Sequence, residues 1–231
     1  MENYTIDFLT TEWIRNGIIS FIFLSFILII GKWNNYNRNI LIAKAISIIL
    51  IILTITNHID FILRDKWLIQ EHLPLHLCSL SQLVACVIVF IPKKNYFFEF
   101  LFYCGIVGGL QAILTPQINY YDDSIYEYLE YYISHLAIIA MPLFLYFNLN
   151  LKLRKFSWLK IFFTLNLLMI VIMPLNFAIK SNYMYLNIPP EVDNPLIIGE
   201  WPYYLIYLEF IVIIVFYLTY CLFKEKKESH V

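Results

Sequence analysis

The sequence predicts an all-α, polytopic membrane protein: a seven-transmembrane-helix bundle with its N-terminus outside and its C-terminus cytoplasmic. Three observations predict it. Of 231 residues, 61% are hydrophobic and only 14% charged, where a soluble domain carries about 25% charged residues, and mean hydropathy is +0.69. The apolar residues fall in recurring runs of helical length between Ile14 and Phe223, and about 20 of them suffice to cross the hydrocarbon layer once. Finally, basic and acidic connections alternate along the chain, as the positive-inside rule requires.

The first span is expected over residues 14–31. Glu2, Asp7 and Glu12 precede it, with no basic n-region and no small-residue cleavage site, so it does not read as a removable signal peptide. Lys32 and Arg38 follow on the cytoplasmic side, then a second span over 40–59 and an outer connection holding Asp60, Asp65 and Glu71 beside Arg64 and Lys66. A third span over 73–91 returns to Lys93 and Lys94. The fourth, over 97–115, leads out to the acidic group Asp122, Asp123, Glu127 and Glu130, and the fifth, over 128–148, leads in to Lys152, Arg154, Lys155 and Lys160. The sixth covers 157–178, followed by Lys180, Glu191, Asp193 and Glu200; the seventh covers 202–223 and ends at Lys224, Lys226 and Lys227. Short loops and the lack of internal repeats make residues 1–231 a single membrane domain. Pro142, Pro174 and Pro202 suit kinks or helix starts, and Gly105 with Gly109 suits close helix contact. Tyr120, Tyr121, Tyr126, Tyr128, Tyr131, Tyr132, Tyr183, Tyr185 and Trp201 read mainly as an aromatic belt at the outer headgroups.

Composition also excludes functions. Sixteen basic residues against 17 acidic ones give a net charge of −1, so no basic field exists to attract nucleic acid. Cys78, Cys86, Cys104 and Cys221 show no metal-ligand spacing and sit in apolar runs, which argues against a disulfide framework or a zinc site. No GxSxG, HExxH, Walker A or haem-attachment pattern is present, and no cofactor or metal is expected.

Polar groups are costly in hydrocarbon, so their positions carry information. They gather in the outer halves of the spans: His58, His76, Cys78, Ser79, Ser81, Gln82, Gln111, Thr115, Ser134, His135 and Glu209. On a continuous third helix, His72, His76 and Ser79 would share one face and Cys78, Ser81 and Gln82 another. Cys78 is either a small packing residue or a nucleophile; His135 is either a general base or a hydrogen-bonded core residue. A metal on His72 and His76 would need a third ligand from His58, His135 or Glu209. Glu209 reads as the only acid deep in a span, able to orient a histidine, carry a proton or accept from neighbours.

The stretches Leu73–Cys78 (LPLHLC), Gly105–Pro116 (GIVGGLQAILTP), His135, Asn182–Tyr183 and Gly199–Tyr203 (GEWPY) together resemble the YwaF family of bacterial integral membrane proteins. That family is similar to transmembrane protein 164 of animals, described as a cysteine-dependent acyltransferase of ether-linked phospholipids, and more distantly to the androgen-induced-gene type of membrane lipid hydrolases. The resemblance implies that His135 deprotonates Cys78, which attacks an acyl ester of a membrane phospholipid substrate near the outer headgroups. It implies an oxyanion donor among Gln111, Ser81 and Thr115, with His76, Gln82 and Glu209 lining or orienting the pocket. The competing expectation is a transporter or small-ligand binder that uses the same polar pocket without covalent chemistry. High Ile, Asn, Lys and Tyr usage suggests an AT-rich bacterial genome, and the expected location is the bacterial cytoplasmic membrane.

Overall fold

A computed structural model describes residues 3–225 except Tyr120, Asp122 and Asp193. The expectations for Glu2, Tyr120, Asp122, Asp193, Lys226 and Lys227 lie outside the described residues. The chain is helical almost throughout: α1 (Thr11–Lys32), α2 (Tyr36–Leu63), α3 (Leu77–Val87), α4 (Asn95–Phe100), α5 (Ile106–Leu114), α6 (Ile125–Asn148), α7 (Ser157–Ile179) and α8 (Tyr203–Phe223). A 3-10 turn, Ile88–Phe90, extends α3, and a π-helical segment, Leu101–Gly105, joins α4 to α5 in one continuous helix. Side chains at the starts hold otherwise unpaired N–H groups: Thr10 accepts from Trp13, Asn35 from Arg38, and Ser124 from Tyr126 and Glu127.

Among the described residues, six helices are long and apolar enough to cross a membrane: α1, α2, the α4–α5 unit, α6, α7 and α8. The segment expected to be the third span is helical only over Leu77–Phe90. Its lead-in is tied off by side chains instead. The Tyr183 hydroxyl accepts from the Leu73 N–H at 2.9 Å and donates to the Ile69 carbonyl at 2.6 Å, while Pro74 disfavours helical backbone at Leu73. His76 therefore caps α3 rather than riding on it.

The acidic connections meet at one end of the bundle and the basic ones at the other. At the acidic end, β1 (Tyr4–Thr5) pairs antiparallel with β2 (Gln117–Ile118), and the Gln117 Oε1 accepts from the N–H groups of Glu191 and Val192. At the basic end, the Asn39 amide donates to the carbonyls of Gly31 and Asn148. Between the ends, Leu50, Ala85, Phe98, Leu101, Phe102, Ile138, Met141, Phe144 and Ile161 form the core. Helix α6 packs against α1, α2, α3 and α5. The outward faces of the outer helices stay apolar, with Phe21 72% and Ile170 70% exposed, as a lipid-facing surface requires.

The interior corrects one reading of the sequence. Glu209 is not the only acid inside, because Glu99 on α4 is wholly buried. Its carboxylate accepts from the Arg154 backbone N–H at 3.0 Å, from Nε at 2.7 Å and from Nη2 at 2.6 Å, clamping the connection before α7 onto α4. A bidentate pair satisfies such a buried charge, whereas removing one partner strands it. Arg154→Ala is expected to destabilise the fold by about 3 kcal/mol, with part of the loss recovered in the Arg154→Ala/Glu99→Gln double variant, as read by thermal unfolding in detergent.

A cavity holding a thiol and two differently bonded imidazoles

A cavity of about 430 Å³ lies at the acidic end among α2, α3, α5, α6, α7 and α8, a volume typical of small-ligand sites. It is lined by His76, Cys78, Ser79 and Gln82 from the start of α3, Gly108, Gln111 and Thr115 from the end of α5, Glu130, Tyr131 and His135 from α6, and Glu209 from α8. The late start of α3 matters here. With His76 off the helix, it shares the cavity with Cys78 and Gln82, which a continuous third helix would have turned away from it.

Glycines set the approach of the walls. A Cβ at Gly105 would lie 2.8 Å from the Ile138 carbonyl, and one at Gly109 would lie 2.9 Å from the His135 carbonyl, so α5 meets α6 backbone to backbone. On a neighbouring face of α5, a Cβ at Gly108 would stand 3.3 Å from the Cys78 Sγ. The thiol thus rests on a bare stretch of helix. Tyr131 and Tyr185 line the same cavity as the thiol.

Each tyrosine carries a histidine. The Tyr131 ring lies against His135, tilted by 44° with centroids 4.3 Å apart, and the His135 Nδ1 is 2.6 Å from the Tyr131 carbonyl. A carbonyl only accepts, so Nδ1 holds the proton and Nε2 of the neutral ring is left with its lone pair. Tyr131 is itself held, donating to the Ala112 carbonyl and accepting from the Gln117 N–H. On the other side, His76 sits 5.3 Å from both the Tyr183 and Tyr185 rings, and its Nδ1 accepts from the Met184 N–H at 3.2 Å.

The remaining predicted residues divide. Gln82 donates to the Thr54 hydroxyl at 2.9 Å; Thr115 donates to the Gln111 carbonyl at 2.9 Å; Glu209 accepts from the Asn166 amide at 2.9 Å rather than orienting a histidine. Ser81 does not reach the cavity: it is wholly buried, and its hydroxyl has no partner. Among the described residues, no three His, Cys, Asp or Glu side chains are placed to hold a metal. His72 instead stacks on Phe61 at 4.1 Å and bonds the Leu68 backbone. Sequence reasoning missed Glu130, which passed as an outer-loop acid. It also assigned Tyr131, Tyr183 and Tyr185 to a headgroup belt, although Tyr183 is wholly buried and the other two line the cavity. Their one available signal was the helical spacing of Tyr131 to His135.

A model of the TMEM164 family matches residues 8–220, a range that includes every cavity residue named above. The chain belongs to the TMEM164 family. The resemblance read from LPLHLC, GIVGGLQAILTP and GEWPY is borne out at that level, and membership agrees with the six apolar helices in making this a multi-pass membrane protein. No curated protein and no solved structure matches the chain.

Two outcomes follow from the geometry of this family member. Gly108→Ala crowds the Cys78 sulfur and is expected to slow its alkylation by N-ethylmaleimide several-fold with little change in melting temperature. Gly109→Val drives side-chain atoms into backbone and is expected to cost about 1–3 kcal/mol. The connection between α2 and α3 also responds to pH. Burial, and secondarily His58, hold His72 below the usual histidine range, so its neutral form is the folded one. The unfolded chain takes up that proton first as pH falls below about 6.5. Stability is therefore expected to drop on acidification through that range, and to drop less in His72→Gln, as followed by unfolding midpoints at pH 7 and pH 5.5.

Proposed function

We propose that this protein is a membrane-embedded, cysteine-dependent lipid acyltransferase or acyl hydrolase that works near the outer-leaflet headgroups of a bacterial cytoplasmic membrane. The reading includes seven crossings, with the N-terminus outside and the C-terminus cytoplasmic. Leu77–Phe90 and its non-helical lead-in make the third. At 1.5 Å per residue that helix covers about 20 Å of a hydrocarbon layer of about 30 Å, and Leu73–His76 supplies the rest. Such irregular backbone is tolerable at depth because it is half-buried against protein and lines the cavity, and the Tyr183 hydroxyl satisfies the Leu73 N–H. The basic end, with Lys32, Arg38, Lys93, Lys94, Lys152 and Lys155, supports a cytoplasmic assignment for that side.

One observation carries the chemistry: Cys78 and His135 line the same cavity, and the bond from His135 to the Tyr131 carbonyl leaves Nε2 as its free base. In the proposed reaction the thiol proton passes to Nε2 as sulfur attacks the ester carbonyl of a membrane phospholipid. Collapse of the tetrahedral intermediate breaks the ester C–O bond, and the departing lysolipid oxygen takes the proton back from Nε2. A hydroxyl acceptor or water then attacks the thioester with His135 again as base. Leu165, Met169, Leu205, Leu208 and Val212 give the cavity an apolar wall on α7 and α8 suited to an acyl chain. Of the three expected oxyanion donors, Ser81 points elsewhere and the Thr115 proton is engaged, which leaves the Gln111 side chain.

The test is acyl transfer from fluorescent phosphatidylcholine in liposomes containing the purified protein. Cys78→Ser is expected to lose at least 10³-fold, and His135→Gln about 10²–10⁴-fold. Full transfer by Cys78→Ala would end the reading. Liposome uptake abolished by Glu209→Gln, with Cys78→Ala unaffected, would replace it with transport through the same pocket.

A further inference from the structure

The two cavity histidines are bonded in opposite senses. The His135 Nδ1 faces an acceptor, the Tyr131 carbonyl, whereas the His76 Nδ1 faces a donor, the Met184 N–H. A nitrogen that accepts carries no proton, so neutral His76 holds its proton on Nε2. One ring thus presents a base and the other an N–H donor, and both line the cavity that contains Cys78.

The donor that fixes His76 comes from strained backbone. Met184 and Tyr185 have φ of 58° and 53°, a left-handed conformation uncommon for residues with side chains. The turn is held from several directions. The Asn176 Oδ1 accepts from the Tyr183 N–H at 3.0 Å, and the Asn176 amide donates to the Tyr183 carbonyl at 2.9 Å. The Tyr183 hydroxyl bonds Ile69 and Leu73, and the Tyr204 hydroxyl donates to the Tyr185 carbonyl. These bonds aim the Met184 N–H at His76, while Tyr183 and Tyr185 bracket the ring.

We infer that His76 is a second oxyanion donor of the site, beside Gln111: its Nε2–H bonds the ester carbonyl oxygen as Cys78 adds to the carbon. This rests on the acyl-transfer reading above. As the S–C bond forms, the carbonyl π pair moves onto oxygen, and the His76 N–H stabilises that charge without giving up its proton. When the lysolipid oxygen leaves with the proton from His135, the carbonyl re-forms and the bond to His76 weakens. Removing one such donor costs on the order of 10²–10³ in rate. His76 touches the reacting oxygen and leaves the thiol alone, so its loss separates acylation from thiol reactivity.

The experiment uses p-nitrophenyl octanoate with the purified full-length protein in detergent, following the p-nitrophenolate burst and the octanoyl adduct at Cys78 by mass spectrometry. Iodoacetamide alkylation of Cys78 across pH is run in parallel. His76→Ala is expected to slow acylation about 10²–10³-fold while leaving the alkylation profile as in the wild type. His76→Gln, whose amide reaches to a similar position, is expected to recover at least tenfold of that loss. His135→Gln slows acylation and alkylation together. Wild-type acylation rates in His76→Ala would overturn the inference, as would slowed alkylation in that variant or no recovery by Gln in a variant that keeps its melting temperature. A wild-type protein that forms no adduct at Cys78 overturns the parent reading instead.

Discussion

The close approach of three helices around the glycines of the continuous α4–α5 helix is the constraint on which the cavity depends. Gly105 and Gly109 admit the α6 backbone at the Ile138 and His135 carbonyls, and Gly108 admits the Cys78 sulfur. One helix without side chains on two adjacent faces therefore seats the imidazole on one neighbour and the thiol on the other. Lipid tails are as apolar as leucine, so burial of apolar surface does not drive helices together inside a membrane. Contact comes from packing between small residues and from satisfied polar groups. Here the glycines that allow the packing also fix where Cys78 and His135 sit.

Hydrocarbon imposes a second discipline, because a polar atom there must find a partner inside the protein. Most of them do so close at hand. Thr54 and Thr115 donate to carbonyls one turn back on or beside their own helices, Asn166 does the same while also holding Glu209, and Ser47 reaches across to the Ala85 carbonyl. Such residues explain their own presence and call for no ligand. Cys78 and the two imidazoles differ. Each histidine has one ring nitrogen fixed by backbone, which leaves the other with a defined role toward whatever enters the cavity.

Hydropathy and charge alternation made the long helices legible, since a run such as Ile40–Ile59 admits no other reading and the basic connections do gather at one end. The start of α3 was not legible. Leu73 and Leu75 continue the apolar run; Pro74 gave a local hint, but the Tyr183 hydroxyl that ties off the non-helical lead-in lies more than 100 residues away. That one register change moved His76 into the cavity beside Cys78 and removed the helical pairing of His72 with His76. Glu99 was hidden for a related reason: its partner Arg154 is 55 residues distant, so burial of the acid has no local signature. Ser81 failed as a candidate because helical spacing groups residues on a face without saying how much of that face a neighbour covers. Cys78 and His135 were found through resemblance and shared depth; their orientation came only from the Tyr131 carbonyl and from Gly108.

Proximity of positions 78 and 135 is the claim that everything else uses. It is tested most directly by replacing His135 with cysteine in a chain whose Cys86, Cys104 and Cys221 are changed to alanine, then adding dibromobimane in lipid nanodiscs. That reagent becomes fully fluorescent and blocks both thiols only when it bridges two sulfurs a few ångström apart. The account predicts a fluorescent intramolecular bridge between the native thiol and the introduced one. Separate single modification of the two positions, without a bridge, in a protein that retains its fold would contradict it.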